Sequence, residues 1–149
     1  MVLQLSVATE ADVDRITDLH LASFDSNILL HAQFPTKASL EGLHALLHQE
    51  TLDTIQSLQD TEKTVLVVRD TESDQIISFA KWDLPGLSTG HAHVGVKWPD
   101  GCRREYLEDY YEKAEAAKKR VIGDSPCYRK TYCSVSFFMK ITFHLDSRP

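Results

Sequence analysis

Residues 64–84 read TVLVVRDTESDQIISFAKWDL, and this stretch decides the fold. Thr64 to Asp70 and Gln75 to Leu84 are two runs rich in β-branched and aromatic residues. Between them Thr71-Glu72-Ser73-Asp74 is polar turn material without glycine, so the two runs form an antiparallel hairpin with a loop of several residues. Strict alternation places Ile76, Ser78, Ala80 and Trp82 on one face and Ile77, Phe79 and Lys81 on the other.

On the amino-terminal side, Leu3, Leu5 and Val7 alternate with Gln4 and Ser6, the period of a half-buried strand over Val2 to Val7. Thr9 ends it and is placed as a helix N-cap, with Asp12 in the first turn and Val13, Ile16, Leu19 and Ala22 at helical spacing. Phe24 to Lys37 has no clean period and contains Pro35, so it reads as a connection in which Phe24 and Phe34 are anchors. A second helix carries Leu40, Leu43, Leu47, Ile55 and Leu58 on its apolar stripe and Glu41, Gln49, Glu50 and Asp53 on the solvated side, with room for one break.

On the carboxyl-terminal side, Pro85 to Gly101 holds four of the six glycines and two prolines, with too much bulk for a flexible linker, and is expected to be a long loop. Arg103 to Ile122 reads as a charged helix, packed through a narrow stripe of Tyr106, Tyr110, Ala114, Ala117 and Val121 and capped by Gly123. After Pro126 the chain turns β-like. Val135, Phe137, Met139, Ile141 and Phe143 alternate with Ser134, Ser136, Lys140 and Thr142.

A chain of 149 residues with a 42% hydrophobic share can bury a core, which points to one folded domain. The formal net charge of -6 argues against a nucleic-acid or anionic-membrane surface, which needs clustered Lys and Arg. The carboxyl-terminal apolar run is short and interrupted by Lys140, so no membrane span is expected, and Met1 leads into strand and helix rather than a basic-apolar leader. Cys102, Cys127 and Cys133 fit neither a zinc ribbon nor a redox pair, which favours reduced thiols and a cytoplasmic or nuclear location.

Few residues offer chemistry by spacing alone. His44 and His48 lie one helical turn apart, but both flank the leucine stripe with no third ligand in sequence, and His91 and His93 fall in a polar loop, so no metal site is expected. Glu105, Glu108, Asp109 and Glu112 read as a solvated helix face, and Cys127 and Cys133 as buried thiols with no histidine partner.

The order strand, two helices, hairpin, with Phe79-Ala80-Lys81-Trp82 on the second hairpin strand, resembles the amino-terminal portion of the GNAT superfamily of N-acetyltransferases. It is most similar to the fungal branch. The motifs are Ala8-Thr9-Glu10-Ala11-Asp12, Phe34-Pro35, the Trp98-Pro99-Asp100-Gly101 turn, the inserted helix from Arg103 to Ile122, and Gly123-Asp124-Ser125-Pro126-Cys127-Tyr128. The resemblance covers about residues 1–132 and leaves 133–149 as a divergent strand and tail.

The resemblance implies an α/β fold, a partial acyl-CoA N-acyltransferase architecture with a mixed, mainly antiparallel sheet flanked by about three helices. It implies acetyl transfer from acetyl-CoA to an amine of a small molecule or peptide, and it places Phe24, Phe34 and Trp82 as candidate walls of the acceptor-substrate pocket. The family's donor site is a Gly-rich loop at a helix start, whose backbone N–H groups surround the pyrophosphate. No Gly-x-Gly occurs here. Gly86, Gly90, Gly95 and Gly101 are at least four residues apart and Gly123 is the last glycine, so no cofactor-binding or catalytic residue is assigned and the chain is expected to be truncated and catalytically incomplete. The competing expectation is a non-enzymatic association module, with a homodimer paired through Val135 to Phe143.

Overall fold

The hairpin forms as expected. In the computed structural model, which describes residues 2–57, 63–83, 97–121, 123 and 129–135, β2 (Lys63–Asp70) pairs antiparallel with β3 (Gln75–Asp83). β1 (Leu3–Val7) lies against the other edge of β2, with Leu5 opposite Val68 and Val7 opposite Leu66. β4 (Arg129–Val135) pairs antiparallel with β3 and runs unbroken across residues 132 and 133. The described sheet therefore has the order β1-β2-β3-β4 with every neighbour antiparallel.

One face of the hairpin departs from simple alternation. The register slips between Val68 and Arg69, so that Val68 faces Ser78 while Arg69 faces Ile76, and Ile77 is the extra residue. A bulge of this kind resets which side the following residues take. As a result Ile76 does not share a face with Ser78 and Ala80; it is buried with Phe79 and Lys81. A strict period of two could not show this.

The connections are more helical than the sequence pattern indicated. A single 3-10 turn, Glu10–Asp12, leads into α1 (Val13–Ser23). Thr9 is extended, and its N–H and hydroxyl both donate to Asp12 Oδ2 at 2.9 and 3.0 Å, so the acidic residue caps the turn from within. Residues between Phe24 and Lys37 contain a six-residue helix, α2 (Ile28–Gln33), started by Asn27, whose side chain accepts from the Leu29 and Leu30 N–H groups. α3 (Lys37–Gln56) is one unbroken helix of 20 residues. α4 (Arg104–Val121) begins just after a turn in which Gly101 has φ +78, and Gly123, at φ +64, donates back to the Lys119 carbonyl at its end.

Two apolar clusters organise the packing. The first lies between the sheet and helices α1 and α3, and consists of Ala8, Val13, Ile16, Leu19, Ile55, Val65, Val67, Ile76 and Phe79. The second lies among α2, α3 and α4, where Phe34, Leu43, Leu47 and Leu107 are buried with Trp98, Cys102 and Tyr111 packed against them. At about 25 cal/mol per Å², burying each large side chain contributes on the order of 2 kcal/mol, so both clusters matter to the fold.

Two expected apolar faces point elsewhere. On β1 it is Ala8 and the half-buried Ser6 that turn to the helices, while Leu3, Leu5 and Val7 remain 44%, 65% and 54% exposed on the far side of the sheet. On α4 the buried contact runs through Leu107 and, one turn on, the half-buried Tyr111; the stripe of Tyr106, Tyr110, Ala114, Ala117 and Val121 faces solvent. A shift of one residue rotates a helix by about 100°, which is the whole difference between the two stripes. No described helix is long and apolar enough to cross a membrane.

Candidate functional site

Two sets of reactive side chains stand out, one where α1 and α3 cover β3 and one where α4 packs in the second apolar cluster. Lys81 follows Phe79 by two residues and so points to the same covered side, where it is only 4% exposed. Its ammonium donates to Thr51 Oγ1 at 2.9 Å, and the Thr51 hydroxyl in turn donates to the Leu47 carbonyl at 2.7 Å. Glu50 Oε1 stands 3.9 Å from the same ammonium, close enough for an ion pair but too far for a hydrogen bond. Burial lowers the Lys81 amine from its ordinary value; the Glu50 carboxylate pulls it back up, and Lys63 pushes it further down.

His20, the last buried residue of α1, sits beside this group. Its ring lies 5.7 Å from those of both Phe24 and Phe79. Burial, reinforced by the nearby Lys81 charge, brings the imidazole down to about 4, so at neutral pH it is uncharged. Phe24 is one of the three expected pocket residues, and it stands at the end of α1, 36% exposed.

Tyr111, on α4, packs against the second apolar cluster. Its ring stacks on Trp98 at 5.6 Å and 29°, Tyr110 meets it edge-on at 5.6 Å and 77°, and Trp98 continues to Phe34 at 6.5 Å. Burial, then the charge of Glu50, then Tyr110 raise the Tyr111 phenol to about 12, which keeps it a neutral donor at neutral pH. Within this set Glu50, 48% exposed, is a carboxylate that reaches solvent, and it can accept a hydrogen bond or a proton from a bound amine.

The three residues picked from the sequence do not share one wall. Phe34 is 2% exposed in the second cluster and Phe24 contacts His20, whereas Trp82, opposite Thr64, lies on the sheet face away from Lys81. Sequence pattern alone does not mark Lys81, His20, Glu50 or Tyr111 as site residues. The signal for Lys81 was present: a lysine on the same strand face as Phe79, inside an apolar run.

The remaining candidates have local roles. His44 and His48 each contact a separate carboxylate of α1, Asp18 at 3.1 Å and Asp14 at 2.9 Å, rather than converging. Among the described residues no three metal-ligating side chains gather. Glu105, Glu108, Asp109 and Glu112 are exposed, and Asp109 pairs with Lys113 at 2.7 Å. His91, His93 and Cys127 lie outside the described residues, as does the run from 136 to 143; Cys102 is half-buried.

The described glycines do not fit a pyrophosphate. Gly42 packs its Cα against Pro99 in the middle of α3, and Gly123 ends a helix. Gly101 does precede α4, but the Cys102 and Arg103 N–H groups after it already donate to the Pro99 and Gln33 carbonyls. A diphosphate cradle needs open amides at a helix start, and this turn has used its own.

No protein-family model and no curated protein sequence matches the chain. Solved structures do. A histone acetyltransferase HPA2-related acetyltransferase from Corynebacterium glutamicum is similar over 95% of this chain and 65% of its own, with TM-score 0.52 and 19% identity. The carboxyl-terminal condensation domain of Ebony, in complex with beta-alanyl-dopamine, is similar over 95% of this chain and 62% of its own, with TM-score 0.58 and 14% identity. The aminoglycoside 6'-N-acetyltransferase AAC(6')-Ih from Acinetobacter baumannii aligns with TM-score 0.33 and 11% identity, too slight a likeness to bear on the fold. The chain thus spans less than two thirds of the length of the first two, and the α/β architecture expected from the sequence is the one it shares with them.

Proposed function

We propose that these residues form the acceptor side of a GNAT-type N-acetyltransferase, a protein that moves an acetyl group from acetyl-CoA to an amine of a small molecule or peptide. The observation that carries the reading is the fold likeness to an HPA2-related acetyltransferase over 95% of the chain. The Trp98-Pro99-Asp100-Gly101 turn and the helix after it support placing the chain in the fungal branch, and its three unpaired-by-pattern cysteines support a cytoplasmic or nuclear location.

In this reading the 149 residues by themselves do not hold the acyl donor, because no described glycine offers an open cradle and no Gly-x-Gly occurs in the sequence. Calorimetric titration of the chain with acetyl-CoA tests this. No binding at micromolar concentration is expected; micromolar binding overturns it.

One observation favours a second reading, an association module. β4 is an outer strand of the described sheet, and a strand edge of this kind presents unpaired N–H and C=O groups to a second chain. Pairing through Val135 to Phe143 then gives a homodimer, and sizing at high concentration that finds only monomer removes it.

A further inference from the structure

Independently of the acyl-transfer reading, α4 carries more helix than the described fold covers. Its buried contact is Leu107, and the half-buried Tyr111 packs against the second apolar cluster one turn later. From Glu112 to Val121 every residue is exposed except the half-buried Lys118, so about three turns run on past the last apolar contact. Most helical stability comes from packing an apolar face, and this length has none within the described residues. The ion pairs along it, Asp109 with Lys113 at 2.7 Å and Glu115 with Lys118 at 3.4 Å, lie at the surface and contribute little.

The open surface of α4 is patterned. At 3.6 residues per turn, Tyr106, Tyr110, Ala114, Ala117 and Val121 fall within an arc of about 80°, beside the edge that Leu107 packs. Tyr106, Tyr110 and Val121 are 43%, 49% and 77% exposed, and both alanines are exposed as well. This seam runs the length of the helix and is as wide as one facing helix covers. The alanines at its centre let two helix axes come close, and the tyrosine rings supply apolar area at one end. Arg103 lies over the Tyr106 ring at 5.7 Å, which engages that cation beside the acidic part of the helix.

The charges select the facing helix. The first half of α4 carries Glu105, Glu108, Asp109 and Glu112, and its last turn carries Lys118, Lys119 and Arg120. A second α4 laid antiparallel sets the acidic half of each helix against the basic end of the other, whereas parallel pairing opposes like charges. A two-fold axis beside Ala114 then matches the seam to itself, with Tyr106 against Val121 and Tyr110 against Ala117. Asp109 and Arg120 flank the same edge of the seam, so the antiparallel arrangement brings them together twice.

We propose that α4 docks antiparallel on the α4 of a second copy of this chain, through the seam of Tyr106, Tyr110, Ala114, Ala117 and Val121, with Asp109 of each copy facing Arg120 of the other. This contact is separate from strand pairing at β4, which uses backbone groups and none of the α4 charges.

The test is sedimentation of the whole chain, of Asp109→Lys, of Arg120→Asp and of an equimolar mixture of the two variants. The unchanged chain is expected to show a monomer–dimer equilibrium in the micromolar range, weakened at least about tenfold between about 50 and 500 mM salt. Each reversal, at an exposed position, sets like charges together twice and is expected to weaken the dimer at least about tenfold. The mixture restores both attractive contacts and is expected to dimerise within about threefold of the unchanged chain, which also shows that both variants fold. A monomer at every concentration overturns the proposal and leaves the seam to a helix of a different protein. Dimers that ignore both reversals point to the β4 edge and overturn it too, as does a mixture that stays as weak as its components.

Discussion

The ammonium of Lys81 lies 2.9 Å from the hydroxyl of Thr51 and joins the middle of β3 to α3 by a bond buried on both sides. Such a contact weakens the fold more when one partner is removed than when the charge itself is replaced. Thr51→Val removes this acceptor from a buried cation and is expected to cost about 2 kcal/mol. Lys81→Met keeps the length and removes the desolvated charge, so its effect is expected to lie within about 1 kcal/mol of neutral. Urea unfolding of both variants at pH 7 checks this; a larger loss in Lys81→Met than in Thr51→Val contradicts it.

His20 gives the fold a pH dependence with a definite sign. Its imidazole is lowered from 6.5 to about 4 by burial and by Lys81, and its ring faces Phe24 and Phe79. Between those values the unfolded chain binds the proton more readily than the folded one. The contribution is therefore complete above pH 6.5 and is lost as pH falls towards 4, by roughly 3 kcal/mol at most. His20→Leu is expected to flatten this slope, seen as a smaller difference between urea midpoints at pH 7 and pH 4.5. An unchanged difference shows that other groups set the acid limb.

Much of this architecture was legible in the residues, and the parts that were not share a cause. The hairpin from 64 to 84, the first strand and helix and the long second helix follow from apolar period alone. The face of Ile76 does not, because it depends on a register slip between Val68 and Arg69 on the partner strand. The contact side of α4 is decided by Leu107 and Tyr111 meeting Trp98 and α3, whereas Tyr106, Tyr110 and the alanines offered an equally regular stripe one residue earlier. For the site, alternation placed Lys81 beside Phe79, but its bond to Thr51 joins residues 30 apart in sequence. Local pattern fixes an element's type; tertiary contact selects its face.

Asp12 anchors the start of α1 to the hairpin. Its carboxylate accepts from the Thr9 N–H, the Thr9 hydroxyl and, at 2.6 Å, Arg69 Nη2. Burial pushes the acid up, but these donors outweigh it and hold it below its ordinary value of 3.8, so its contribution is present above that pH and lost as pH falls below it. Asp12→Ala is expected to cost about 3 kcal/mol, because it removes the buried partner of the Arg69 guanidinium, which among the described residues keeps only the exposed Asp74, and a helix cap as well. In a double-mutant cycle with Arg69→Met, the second change is expected to cost much less in the Asp12→Ala background than alone. Additive losses argue against coupling.

Gly42 is the position where helix propensity and packing oppose each other. It lies inside α3, where alanine is ordinarily favoured over glycine by about 1 kcal/mol. A Cβ there, however, would meet the Cβ of Pro99, the residue next to Trp98 in the turn that leads to α4. Pro99 is a ring held in a turn that also carries the Cys102 and Arg103 backbone bonds, so it cannot swing aside as a flexible side chain would. Overpacking of this kind costs about 1–3 kcal/mol, which outweighs the propensity gain. Gly42→Ala is therefore expected to lower stability and to move the turn, disturbing the stacking of Trp98 on Tyr111 and shifting tryptophan emission. A more stable variant with unchanged emission shows that Pro99 yields, and that α4 is held less firmly against α3 than this contact implies.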